Sequence, residues 1–338
     1  MKEALLYNKL ENKRVKCNVC QVGCVVPEGK RGACRTRINK EGSFYTLIYS
    51  KVSSVHSDPI EKKPLYHFYP GTSCLSLGTL GCNFHCPGCQ NWQISQSNVD
   101  MDQVNLMEVT PEESVRLIEE SGCKGISWTY NEPAIWFEYT LDGARLAREK
   151  GLYTVYVTNG YMTTEALDAI GPYLDAFRVD IKGFSRESYK KITGLSKFEG
   201  ILDVTVRAKK KWGMHVEVVT NVTPTINDSD QMLKSIASWI AGSLGPDVPW
   251  HVTRFHPYLD LSHLPPTPIE TLERARDIGV KEGLNFVYIG NVSGHPGEDT
   301  YCPGCKKMII KRDGFCISGY HIKDGACQYC GQVISGRF

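Results

Sequence analysis

No stretch of this 338-residue chain approaches the roughly 20 consecutive apolar residues of a membrane-spanning helix. Residues 1–17 likewise lack an apolar run long enough for a signal peptide, and the chain is therefore expected to be cytoplasmic and to have no membrane partner. Charge of one sign is missing too. The 39 basic and 37 acidic residues leave a formal charge of +2, so no overall field draws in nucleic acid or an anionic membrane. No Gly-x-Gly-x-x-Gly follows the first strand candidate of the repeating region, which speaks against a dinucleotide site. With 41% apolar and 10% aromatic residues, the chain is neither disordered nor fibrous, and it can bury a core as one sizeable domain with small additions.

Cysteine is abundant, with fourteen residues, and in a chain without an export signal this points to metal chemistry rather than disulfides. Twelve of them fall into three groups: Cys17, Cys20, Cys24 and Cys34; Cys82, Cys86 and Cys89; and Cys302, Cys305, Cys316, Cys327 and Cys330. Cys74 and Cys123 stand apart in apolar, strand-like surroundings and read as small buried hydrophobes.

Between the second and third groups, short apolar runs alternate with amphipathic helical stretches, the pattern of repeated βα units and a parallel sheet. Strands are expected over 74–80, 125–130, 153–158, 176–181, 215–221, 251–255 and 286–289. Thr110, Pro111 and Glu113 form a capping box with proline in the first turn, and Gly151 is placed to end the helix built around Ile135, Leu141, Ala144 and Leu146. Periodicity alone leaves a closed barrel and an open doubly wound sheet equally open. Either one places its chemistry beyond the carboxyl ends of the strands, and that is where Cys82, Cys86 and Cys89 lie.

Three thiols within eight residues can converge on one centre. A structural zinc site takes four protein ligands, whereas a cubane held by three cysteines keeps one iron open, and no fourth cysteine lies nearby in the sequence. His85 as a zinc ligand is the weaker alternative. Asp180 and Lys182, two apart at the end of the fourth strand, share a face and can form an ion pair, structural or catalytic. Arg254 and His256 share a face at the end of the sixth strand, near where a carboxylate of the substrate or of a bound cofactor could lie.

The paired Cys302-x2-Cys305 and Cys327-x2-Cys330 knuckles are expected to form a tetrahedral zinc or rubredoxin-like iron site that folds a segment too short to fold by burial. Cys316 is left unliganded. The Cys17, Cys20, Cys24, Cys34 group can hold one zinc or a further iron-sulfur cluster, and spacing does not decide between them. Lys30, Arg31, Arg35 and Arg37 around it read as a solvated basic face.

The Cys-x3-Cys-x2-Cys spacing directly after the first strand resembles the radical S-adenosylmethionine (SAM) superfamily. Residues 58–71, Cys89-Gln-Asn91, Tyr130-Asn-Glu-Pro133, Arg254-Phe-His-Pro257 and the terminal knuckles narrow the likeness to AmmeMemoRadiSam-system radical SAM enzymes. These are similar to pyruvate formate-lyase activating enzymes. The resemblance implies a partial (βα)6-type TIM-like barrel over 71–295, with a cysteine-rich extension over 1–70 and a zinc-ribbon-like segment over 296–338. It also implies a 4Fe-4S cluster on Cys82, Cys86 and Cys89 that cleaves SAM to a 5′-deoxyadenosyl radical, which takes hydrogen from an unidentified substrate. Phe84 would then pack over the adenine, Glu132 would meet the SAM amino group in place of the family's glycine-glycine-glutamate segment, and Thr158 and Asn159 would hold the ribose. An electron donor such as flavodoxin or ferredoxin, and partners of the Ammecr1 and Memo types, are implied by the resemblance only. The segment Cys20-Gln-Val-Gly-Cys24 departs from the family by lacking its usual histidine and proline. Rival readings are glycyl-radical activation of a partner protein, modification of a nucleic acid, and a non-catalytic module in which every cysteine group binds zinc.

Overall fold

A computed structural model describes residues 1–97 and 105–338. The chain forms two compact units: residues 1–58, 73–177 and 199–214 make the first, and residues 59–72, 178–198 and 215–338 make the second.

In the first unit, strands β1 (Ser73–Gly78), β2 (Gly125–Trp128) and β3 (Tyr153–Thr158) run parallel, with Ser127 opposite Ser76 on one side and Val155 on the other. Leu77, Trp128, Val155 and Tyr156 are buried on both faces of this sheet, which explains why these strands read as continuous apolar runs without alternation. Helix α1 (Pro111–Ser121) follows β1. Thr110 caps it with both halves of the expected box, accepting from the Glu113 amide at 3.2 Å while the Glu113 carboxylate accepts from the Thr110 amide at 2.7 Å. Helix α2 (Phe137–Glu149) follows β2, and Gly143 lets it approach the sheet, because a Cβ there would stand 3.0 Å from the Trp128 ring. Ahead of the sheet lie two small antiparallel sheets, one from Lys2–Glu3, Arg37–Lys40 and Ser43–Thr46, the other from Tyr7–Lys9, Val15–Cys17 and Val25–Val26.

Strand β4 (Ala176–Asp180) carries the chain into the second unit, where β5 (His215–Val222), β6 (Trp250–Arg254) and β7 (Val287–Gly290) are again parallel. All seven expected strands are present, with ends that move by one or two residues. A buried polar cluster sits at the start of β5. The Glu217 carboxylate accepts from the Tyr66 and His67 amides at 3.1 and 2.8 Å and from Nε2 of His215 and His251 at 2.8 and 2.6 Å. Burial alone would raise its pKa, but the hydrogen bonds from His215 and His251 outweigh it and hold the carboxyl well below the usual range.

His67 Nδ1 lies 2.7 Å from the Ser335 carbonyl oxygen, which can only accept, so Nδ1 carries the proton. Its Nε2 therefore accepts from the Tyr288 hydroxyl at 2.6 Å, and Tyr288 accepts from Thr300 at 2.9 Å. Arg312 completes the chain by donating to Thr300 at 2.8 Å. Every proton in this relay has one direction, and burial holds His67 neutral by lowering its pKa to about 4.

Candidate metal and cofactor centre

The loop leaving β1 carries Cys82, Cys86 and Cys89, and amide side chains grip it by its backbone. Asn131 donates to the Gly81 carbonyl at 2.7 Å and accepts from the Thr79 amide at 3.3 Å. Asn91 donates to the Tyr130 carbonyl at 2.7 Å, and Gln96 to the Cys86 carbonyl at 3.0 Å. Tyr130 has φ +72°, a strained value for a bulky residue of the kind that concentrates at functional sites. Its hydroxyl donates to Asp58 at 2.9 Å.

Hydrogen-bonding groups face two of the sulphurs. The Phe84 amide points at Cys82 Sγ from 3.4 Å, and Cys89 Sγ lies 3.1 Å from the Ser95 hydroxyl. Burial first, then the charges of Glu132, Cys86 and Cys89, push the Cys82 thiol well up, so its thiolate needs a cation to persist. Three such thiols, a loop without a fourth, and donors to the sulphurs fit a cubane with one uncapped iron.

Around the loop, Phe84 is buried against Tyr161 with ring centroids 5.2 Å apart. Glu132 is buried, and its carboxylate accepts from the Thr158 hydroxyl and the Asn159 amide at 2.7 Å each and from the Ala134 amide at 2.9 Å. It thus ties the end of β2 to the end of β3. Asn159 reaches the loop itself, donating to Asn83 at 2.7 Å with Cys82 Sγ at 3.9 Å. Phe84, Glu132, Thr158 and Asn159 are therefore gathered with the Cys82 loop in the first unit. Sequence reasoning missed Asn83, Asn91 and Asn131 as the loop's clamps, although Asn91 and Asn131 stand inside motifs it had singled out.

In the second unit, Lys182 Nζ lies 3.0 Å from Asp180, as the shared face predicts, and Arg178 pairs with the same carboxylate. Burial opposes ionisation of Asp180, yet the two cations hold its pKa below the ordinary value. The Arg-x-Asp-x-Lys alternation was the signal for Arg178, and it went unread. Arg254 turns Nε onto the Thr267 carbonyl at 2.9 Å, while His256 is exposed.

Cys302, Cys305, Cys327 and Cys330 bring their sulphurs within 4.8 Å of one another, with pairs at 3.6 and 3.8 Å. Zinc-sulphur bonds of about 2.3 Å in a tetrahedron require edges of about 3.8 Å, so the donor set fits a single ion. Cys316 is exposed and outside the group; Cys74 and Cys123 are buried, as expected of small hydrophobes.

The N-terminal group lies in the first unit, with Cys17 and Cys20 buried and Cys24 and Cys34 half-buried. The expectation of a solvated basic face fails at Arg37, which is 1% exposed. It donates to both Glu138 oxygens, at 2.9 and 2.7 Å, and to the Ile135 carbonyl at 3.2 Å. A partner 101 residues away overrides what the basic stretch suggests locally. Arg35 is likewise drawn inward, donating to the Gln96 carbonyl at 2.7 Å.

Comparison with known proteins decides the family. The radical SAM superfamily profile matches residues 77–240. An uncharacterized protein of Methanocaldococcus jannaschii is 44% identical over 336 residues, 99% of each chain. The chain belongs to the radical SAM superfamily. This radical SAM chain is also 25% identical over 196 residues to a pyruvate formate-lyase-activating enzyme of Clostridium pasteurianum, covering 54% of this chain and 77% of that one. A solved radical SAM methyltransferase from Sphaerobacter thermophilus superposes with a TM-score of 0.51 at 16% identity, over 71% of each chain. That likeness concerns the fold, and it settles the barrel-or-open-sheet alternative for the α/β core in favour of the TIM-like partial barrel of radical SAM enzymes.

Proposed function

We propose that this radical SAM enzyme holds a 4Fe-4S cluster on Cys82, Cys86 and Cys89, binds SAM there, and generates a 5′-deoxyadenosyl radical that takes hydrogen from a substrate. The observation that best supports the reading is the loop of three sulphurs, gripped by Asn131, Asn91 and Gln96 and provided with donors to sulphur but no fourth thiol. When bound, the cluster supplies the electron that breaks the sulfonium carbon-sulfur bond.

The remaining tasks belong to the chain. Phe84 and Tyr161 form an apolar wall that excludes water. Glu132 acts as a positioning residue, fixing Thr158 and Asn159 as the cofactor's polar neighbours, and its carboxylate, which accepts three hydrogen bonds, keeps acceptor capacity for the SAM ammonium. Asp180 and Lys182, with Arg254 and His256, are the proposed substrate-side groups. The C-terminal knuckles are proposed to bind zinc, on the strength of their tetrahedral sulphur spacing.

The test is anaerobic reconstitution with iron and sulfide, then dithionite and SAM, with 5′-deoxyadenosine measured by mass spectrometry. Wild type should produce it and Cys82→Ala should not. A reconstituted wild type without a cubane spectrum or 5′-deoxyadenosine would overturn the reading and favour the all-zinc module. The likeness to an activating enzyme supports a second reading of the substrate, a glycyl radical on a partner protein. Transfer of deuterium from a labelled glycine backbone into 5′-deoxyadenosine would establish it.

A further inference from the structure

Cys17, Cys20, Cys24 and Cys34 together line one pocket, with Val19, Val22, Phe44 and Ile135 among its apolar walls. The sulphurs receive amide donors from within their own loops: Val19 to Cys17, Val22 to Cys20, and Ala33 to Cys24 at 3.4 Å. The Thr36 hydroxyl lies 3.2 Å from Cys34. Donors directed at sulphur are the surroundings that metal-bound cysteines have.

The spacing discriminates between metals. The C-terminal tetrad already has the short edges of a single tetrahedral ion. Among the described residues it alone gathers three or more candidate ligand atoms within 4.8 Å, so no three of the N-terminal sulphurs do. The Cys82, Cys86 and Cys89 set shares this wider spacing. A cubane pushes its thiolates apart around a cage of iron and sulfide; a lone zinc pulls them together.

A second observation points the same way. Arg37 lines the cavity almost fully buried, and its Nε hydrogen has no partner. An unpaired buried donor costs about 1–3 kcal/mol, so it marks a place for an acceptor. The inorganic sulfides of a cubane are acceptors that extend beyond the ligand sulphurs, whereas zinc contributes none.

We infer that Cys17, Cys20, Cys24 and Cys34 hold a second 4Fe-4S cluster. Four thiolates cap all four irons, so this cluster has no open position for SAM. It adjoins the SAM-cluster loop: Asn83 lines the same cavity, and a Cβ on Gly81 would stand 2.8 Å from the Cys34 carbonyl.

The experiment removes the central ligands and leaves the proposed site intact. Full-length Cys82→Ala/Cys86→Ala/Cys89→Ala is reconstituted anaerobically and analysed for iron, sulfide and zinc, and by electron paramagnetic resonance after dithionite. The inference expects about four irons and four sulfides per chain and a reduced-cluster signal indifferent to SAM. Adding Cys20→Ser and Cys34→Ser should abolish both while the C-terminal metal is retained, which reports that the chain still folds. A triple variant free of iron and sulfide, whether it holds an extra zinc or no metal at all, would overturn the inference. The wild-type 5′-deoxyadenosine assay remains an independent test of the proposed function.

Discussion

Acidification should weaken the second unit through one imidazole. His67 is fully buried, and its relay through Tyr288 and Thr300 to Arg312 leaves no acceptor for a second ring proton. Its pKa falls to about 4, with burial the largest cause, His215 and Arg312 acting with it, and Glu217 and the Ser335 carbonyl opposing it. The unfolded chain, with a pKa of about 6.5, therefore binds a proton that the folded chain refuses. Stability from this group is fully present above about pH 6.5 and is lost as pH falls towards 4. The linkage amounts to about 2 kcal/mol at about pH 5, approaching about 3 kcal/mol below pH 4. Urea unfolding at about pH 7.5 and about pH 5 measures it in wild type and in His67→Leu. The variant should be less stable at the higher pH, because Tyr288 loses its acceptor, but should shed about 2 kcal/mol less on acidification. Equal pH sensitivity in the two proteins would refute the reasoning.

Glu138→Leu strands the buried Arg37 guanidinium and should cost about 3–5 kcal/mol in urea unfolding, with most of it recovered in Arg37→Met/Glu138→Leu; a cost below about 1 kcal/mol would contradict the buried pair. Gly81→Ala combines φ +82° with a Cβ placed 2.5 Å from Thr36 Cγ2, so iron bound on the Cys82 loop should fall sharply while the C-terminal metal stays. Normal iron content would show that the loop relaxes at no cost. Cys302→Ser should remove one metal equivalent and expose residues 300–338 to protease, without changing the spectrum of the Cys82-centred cluster. Unchanged protease resistance would mean that the Ile309, Ile310 and Ile322 core suffices by itself.

The strands and the capping box were legible because they rest on local chemistry: runs buried on both faces, and a threonine three residues before a glutamate. The C-terminal four-cysteine group was legible because thiol spacing is itself the ligand geometry. What escaped the sequence depends on distant partners. Arg37 looks solvated beside Lys30 and Arg31 until Glu138 comes under it, and Glu217 is an ordinary strand residue until Tyr66, His67, His215 and His251 converge on it. The strand period carried Arg178 alongside Asp180 and Lys182, yet a pair was sought where a triad stands.

The manner in which the Cys82 loop is held bears on how the protein survives oxidation. Asn131 and Gln96 fasten that loop by its carbonyls, and Asn91 anchors it to the Tyr130 backbone, so the fastening does not run through the sulphurs. Iron stripped by oxygen would leave the empty cradle standing, ready to be refilled without refolding. The C-terminal knuckles would enjoy less of this protection: an ion held there would be part of what keeps the segment folded, and its loss would damage the scaffold itself.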